Sequence, residues 1–128
     1  MPNFNPEMAS HNELGIKGEQ LALEYLISKG FQVIEKNYRF QKAEVDLIAK
    51  KSDLVIFIEV KTRSTDYFGR PEEAVTKSKQ RLLIEAADHY IQSNNLKNEV
   101  RFDAISIILN KKGISINHIE DAFYPMAE

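Results

Sequence analysis

The stretch LVIFIEVK, residues 54–61, decides how the chain folds. Leu54, Ile56, Ile58 and Val60 alternate with Val55 and Phe57, so both faces of the segment are apolar over most of its length. That pattern predicts a central strand covered on both sides rather than a half-exposed one. Its end is different in kind. Glu59 and Lys61 emerge together on the Phe57 face, with Arg63 just beyond, and charges on a core strand are costly to desolvate unless something compensates them. An ordinary strand-end ion pair is the plainest explanation, and for an isolated Glu-x-Lys it is the commoner one.

Upstream, AEVDLIA (43–49) is joined to this strand by Lys50, Lys51, Ser52 and Asp53, a polar link suited to a hairpin. FQVIEKNY (31–38) precedes it, giving an antiparallel meander. Before the meander, Ser10 with Glu13 forms a capping-box signature, and Leu14, Leu21, Ala22, Tyr25 and Leu26 follow at helical spacing until Gly30. These signals predict a helix over about 11–29. Residues 1–9, with two prolines and two asparagines, are expected to be a loose tail to a single domain spanning 10–128. Downstream, RSTDYFGRPEEAV reads as a loop and Thr76 as the cap of a second helix over about 77–93, with Leu82, Leu83, Ala86, Ala87, Tyr90 and Ile91 as its buried stripe. VRFDAISIIL (100–109) is then a strand parallel to 54–61 through a right-handed crossover, and ISINHIE (114–120) pairs with it through Lys112-Gly113. The fold class is therefore α/β, a central mixed β-sheet flanked by helices in the order α-β-β-β-α-β(-β).

Composition narrows the chemistry. The 128 residues are 43% hydrophobic and 28% charged, the size of one ordinary domain. There is no cysteine, which excludes disulfides, thiolate metal sites and a cysteine nucleophile. No apolar run approaches the roughly 18 residues of a membrane span, and the first residues lack the basic-then-apolar order of a secretion signal. A cytoplasmic protein with no membrane partner is expected. The net charge of −2 does not advertise a nucleic-acid binder, yet Glu35–Leu82 holds eleven Lys/Arg against eight Asp/Glu. Phosphate contacts depend on such local cation density rather than on whole-chain charge.

The charged strand end gains meaning from its neighbour. Period-two geometry puts Glu44, Asp46 and Ile48 on one face of their strand, and the short hairpin brings Asp46 level with Glu59. Two carboxylates and the Lys61 ammonium then converge, with the Val60 carbonyl between the charged positions. Hard oxygen ligands of this kind suit Mg²⁺ and leave room for a phosphate oxygen, while a lysine stabilises charge in phosphodiester hydrolysis. Glu19 lies at the border of the first helix's apolar face and adds a third carboxylate if that helix covers the site; a merely solvated glutamate is the alternative. Arg39, Lys42, Arg63, Arg70, Lys77, Lys79 and Arg81 are candidates for a phosphate-binding rim, set against the alternative of a scattered charged surface. Tyr67 and Phe68 are either base-stacking or core-covering aromatics. Asp103 is either a structural strand-end residue or a remote site member. His11, His89 and His118 share no metal-ligand spacing and read as incidental.

Asp46, twelve intervening residues, then Glu59-Val60-Lys61 resembles the PD-(D/E)xK nuclease superfamily. More closely, GEQLALEYLISKGFQVIEKNY, AEVDLIA, FIEVKTR, FGRPEEAVTKSKQ and RFDAISI together resemble the bacterial YraN family of predicted endonuclease-like proteins, itself similar to archaeal Holliday-junction resolvases. The resemblance runs from about Gly15 to Ile107. It implies a restriction-endonuclease-like core, Asp46 and Glu59 as metal ligands with the Val60 carbonyl, Lys61 as the catalytic lysine, Glu19 as a supporting acid, and Lys79 and Gln80 facing the substrate. Ala43 stands where the family usually has glycine, a departure that bears on how closely a backbone can approach there. The expected activity is Mg²⁺-dependent endonucleolytic hydrolysis of DNA, branched DNA included, with Mn²⁺ as a substitute ion. A homodimer would suit a two-strand cut. The competing expectation is a non-catalytic nucleic-acid-binding or protein-interaction module on the same fold.

Overall fold

The computed structural model describes residues 4–65 and 75–123. Its elements are α1 (His11–Ser28), β1 (Gln32–Phe40), β2 (Ala43–Lys51), β3 (Leu54–Arg63), α2 (Lys77–Ser93), β4 (Glu99–Asn110) and β5 (Gly113–Phe123). The strands form one sheet in the order β1-β2-β3-β4-β5. β3 and β4 run parallel and every other neighbouring pair is antiparallel. This is the mixed α/β sheet with two flanking helices that the sequence predicts, an architecture consistent with a nuclease-like core.

Local chemistry explains the element ends. At the start of α1 the Glu13 N–H donates to Ser10 Oγ at 3.1 Å, and the Ser10 N–H donates to Glu13 Oε1 at 3.3 Å. At its end Gly30 takes a φ of 89°, which costs glycine nothing, and the N–H groups of Gly30 and Phe31 reach back to the carbonyls of Ile27 and Leu26. α2 is capped by Thr76, whose hydroxyl accepts from the Lys79 N–H at 3.2 Å. It closes the same way as α1 with Asn95 in the left-handed position at φ 52°, the Leu96 N–H reaching Ile91 O. Residues 4–9, expected to be loose, contain a turn from the Met8 N–H to Asn5 O and seat Phe4 against the α1-side core.

Each face of the sheet has its own core. On the α1 side Leu47, Ala49, Ile56, Ile58, Ile105 and Ile107 pack with Ala22 and Leu26; on the α2 side Val45, Ile48, Val55, Phe57 and Phe102 pack with Leu83, Ala86, Ala87 and Tyr90. Full burial of each large apolar side chain contributes roughly 1.5–3 kcal/mol, so β3, apolar on both faces, anchors both layers.

One part of the expected pattern fails. Glu44, Asp46 and Ile48 do not share a face, because Val45 and Ile48 both lie in the α2-side core while Leu47 and Ala49 lie in the α1-side core. Strict alternation breaks around Asp46. The β2–β3 ladder stops at Leu47↔Ile58, and on β1 the residue opposite the break, Asn37, has a φ of 51° and stands outside the paired register. Such interruptions re-aim a side chain, and here the re-aimed side chain is a carboxylate.

Candidate active site

Where β2 leaves β3, the Asp46 carboxylate takes over from the backbone ladder: its Oδ2 accepts the Val60 N–H at 2.8 Å. In an extended strand a residue's N–H and C=O leave on the same side, so the Val60 carbonyl also faces this gap. Glu59 lies one position earlier, on the face covered by α2. It is only 4% exposed. Its Oε1 is paired with Lys79 Nζ from the first turn of α2, whereas its buried Oε2 has no hydrogen-bond partner.

The electrostatics follow from this crowding. Burial, and then the neighbouring charge of Glu59, push the Asp46 carboxyl up to about 8, although the Val60 N–H pulls the other way. Burial also raises Glu59, only partly offset by Lys79 and Lys61. Two carboxyl groups so placed need either a shared proton or a cation. Lys79 responds in the opposite sense: burial lowers its pKa, but Glu59, Asp46 and Glu44 outweigh burial and the net shift is upward.

Lys61 is half-buried at the next position on the same face and pairs in the parallel ladder with Ser106, itself buried. Its charge lowers the Glu59 pKa. Glu19 approaches from α1 and adds negative charge at Asp46. Its Oε1 is held at 2.9 Å by the Asn37 amide, which also donates to Glu44 Oε1 at 3.2 Å. Among the described residues no three acidic or histidine side chains converge as an ion-binding group. The oxygens that could serve an ion here are those of Asp46 and Glu59 and the Val60 carbonyl, with Glu19 tethered at their border. These donors fit a hard divalent ion, since the partnerless Glu59 oxygen and the uncompensated Asp46 charge are what such an ion satisfies.

Gly18 controls how near Glu19 can come. A Cβ built on it would lie 1.6 Å from Thr62 Oγ1, so only glycine lets α1 press onto the end of β3.

The remaining candidates spread around this centre. Arg39, 78% exposed, pairs with Glu44 at 2.8 Å. Lys42 and Lys77 are exposed, Lys42 in the β1–β2 turn and Lys77 at the start of α2, while Arg63 is half-buried at the end of β3. Gln80 turns back to donate to Val75 O at 3.1 Å. Arg81 is exposed on the first turns of α2. Arg70, with Tyr67 and Phe68, lies outside the described residues. Lys79 reaches the carboxylates themselves rather than an outer rim.

Sequence reasoning missed Asn37 and Gly18. An asparagine inside a strand run is a propensity mismatch that signals a special backbone position; a glycine in mid-helix signals close packing. The reading of His118 as incidental is overturned. His118 Nε2 meets Asp103 Oδ2 at 2.7 Å and its Nδ1 meets the Tyr25 hydroxyl at 3.1 Å, while Arg101 binds both Asp103 oxygens at 2.8 and 2.9 Å. Asp103 is a structural residue of this second cluster.

Residues 18–107 match the model of the uncharacterised protein family UPF0102. A UPF0102 protein of Christiangramia forsetii is 54% identical over 117 residues, covering 91% of this chain and 98% of the relative. One from Clostridioides difficile is 47% identical over 115 residues (89% and 99%), and one from Thermodesulfovibrio yellowstonii 46% identical over 112 (88% and 96%).

Proposed function

The chain belongs to the UPF0102 family, the YraN group that its motifs resemble, and from that premise we propose that it is a metal-dependent endonuclease that hydrolyses DNA phosphodiester bonds. One observation carries the reading: a buried glutamate oxygen without a donor stands beside an aspartate that burial and charge hold far above the ordinary carboxylate range. A finished structural ion pair would leave neither.

In this reading Asp46, Glu59 and the Val60 carbonyl hold Mg²⁺, for which Mn²⁺ substitutes. The bound ion supplies polarisation of the phosphoryl oxygen and eases deprotonation of an attacking water. Lys61 orients that water and stabilises the charge developing on the phosphate. Glu19 and its Asn37 tether fix the acidic border, while Arg39, Lys42, Arg63 and Lys77 engage backbone phosphates. Contacts to phosphates alone select shape and deformability rather than base sequence, which suits branched DNA. A homodimer would present two such centres to the two strands of a junction.

Cleavage of linear, single-stranded, flap and four-way DNA in Mg²⁺ or Mn²⁺ tests the proposal. Wild type should cut at least one of these substrates, and Asp46→Ala, Glu59→Ala and Lys61→Ala should each lose about 100-fold or more. Equal cutting by wild type and variants would mean a contaminating nuclease and end the assignment. Binding without cutting would instead favour the non-catalytic module, a reading to which the Lys79–Glu59 ion pair lends some weight.

A further inference from the structure

Lys79 joins an exposed stem to a buried partner. Its backbone is fixed by the Thr76 cap, yet its side chain is 41% exposed while the glutamate that it grips is almost completely buried. A long flexible stem can leave such a position for solvent without repacking the core. An ammonium is also a poor final partner here, since it reaches one Glu59 oxygen and leaves the other without a donor.

Building on the nuclease reading, we propose that Lys79 is a resident counter-cation that holds Glu59 in the ion-free protein and must be released before a divalent ion can bind, its charge then passing to a DNA phosphate. Charge balance motivates the exchange. Lys79 and a divalent ion compete for the same Glu59 carboxylate, and once displaced the ammonium adds its charge to those of the ion and Lys61; the phosphates of a DNA backbone are what can offset that positive charge. The ion and the polyanion are thus taken up together, and each raises the affinity for the other by the same factor. The device keeps hydrolytic competence low until substrate arrives.

Calorimetric titration of Mn²⁺ into the full chain, without DNA, separates the possibilities. Lys79→Met should bind Mn²⁺ roughly ten-fold tighter than wild type, within the usual range of site–site coupling. Lys97→Met, which removes the same charge from an exposed position near the opposite end of β3, should leave the affinity unchanged. In wild type, adding a duplex with uncleavable phosphorothioate linkages should tighten Mn²⁺ binding; in Lys79→Met that gain should shrink. If Lys79→Met does not unfold cooperatively, Lys79→Gln, whose amide still donates one hydrogen bond to Glu59, is put through the same comparison and should fall between the two. Equal or weaker Mn²⁺ binding by the Lys79 variants, with Glu59→Gln abolishing it, overturns the counter-cation role and leaves the metal site standing. Equal tightening in Lys79→Met and Lys97→Met reduces the effect to net charge and also overturns it. If Asp46→Asn and Glu59→Gln bind Mn²⁺ as wild type does, the site reading itself fails.

Discussion

Asp46 and Asp103 perform the same local task at two places in one sheet, and their surroundings treat them in opposite ways. Each carboxylate accepts a backbone N–H where a strand ladder is interrupted: Asp46 from Val60 at 2.8 Å, Asp103 from Asp121 at 3.0 Å. Asp121 itself sits at φ 54°, in the irregularity of the β4–β5 register. Beyond that shared device they part. Asp103, 0% exposed, also receives both arms of Arg101 and the His118 ring. Burial alone would raise its pKa, but those partners outweigh burial and lower it. Asp46 receives one N–H and faces Glu59, and its pKa climbs. Burial is common to the two; what separates them is whether the charge is answered from within the chain. The Asp103 cluster is chemically complete, while the Asp46 pair has demand left over.

The largest test of that contrast is stability. Asp103→Asn strands Arg101 and His118 beside a neutral amide, and breaking a buried pair in this way costs about 3–5 kcal/mol. Asp46→Asn, by contrast, removes a carboxyl that burial and Glu59 already oppose ionising and should leave ion-free stability at neutral pH unchanged or raised, not lowered. Urea unfolding of both variants measures the difference; comparable losses would erase the distinction between the clusters.

Acidity gives the contrast a sign. Asp103, lowered in the folded protein, contributes stability that is present above the unfolded carboxylate value of about 3.9 and is lost as pH falls through its folded pKa. Asp46 runs the other way. Its stabilising contribution is complete below the unfolded value and disappears as pH rises through about 8. Melting temperatures of the ion-free protein should therefore decline as pH rises from about 4 to about 8 and level off above it, and Asp46→Asn should flatten that decline while leaving the loss at lower pH intact. A slope unchanged by the substitution would place the titration elsewhere.

The smallest expected effect sharpens the finished side of the comparison. Tyr25→Phe removes one hydroxyl from His118 and should cost about 0.5–1.5 kcal/mol, read as a modest fall in the urea midpoint with DNA cleavage unchanged.

Much of the frame was legible from pattern. Local signals are strong at Ser10/Glu13, Gly30 and Thr76, and the two-sided apolar run of β3 with an intervening helix dictates a central strand with a parallel neighbour. α2 occupies the predicted range, and the strands extend beyond theirs by one to a few residues. Faces were less legible where a side chain replaces a backbone partner. Alternation assumes an unbroken pleat, so Ile48 went to the wrong side once Asp46 interrupted it. His118 was misread for another reason: its partners Asp103 and Tyr25 are brought near by strand pairing and helix packing, and no sequence spacing records that. Asn95 ends α2 as glycine usually would, a signal weaker in sequence than Gly30 because asparagine only tolerates the left-handed region. For the site, the Asp46, Glu59 and Lys61 set follows from β2 and β3 being neighbours, whereas the grip of Lys79 depends on how α2 lies across the sheet.

The bare surface of Gly18 against Thr62 has a mechanical consequence. Glu19 is its immediate neighbour and Tyr25 lies two turns farther along, roughly 10 Å away at the helical rise of 1.5 Å per residue, so α1 is a stiff beam with its pivot seated on the end of β3. At the pivot it steadies the acidic border, and toward its C-terminal end it holds the histidine of the second cluster. A methyl group inserted at the pivot would tilt the whole beam, misaligning two charge centres that share no contact with each other.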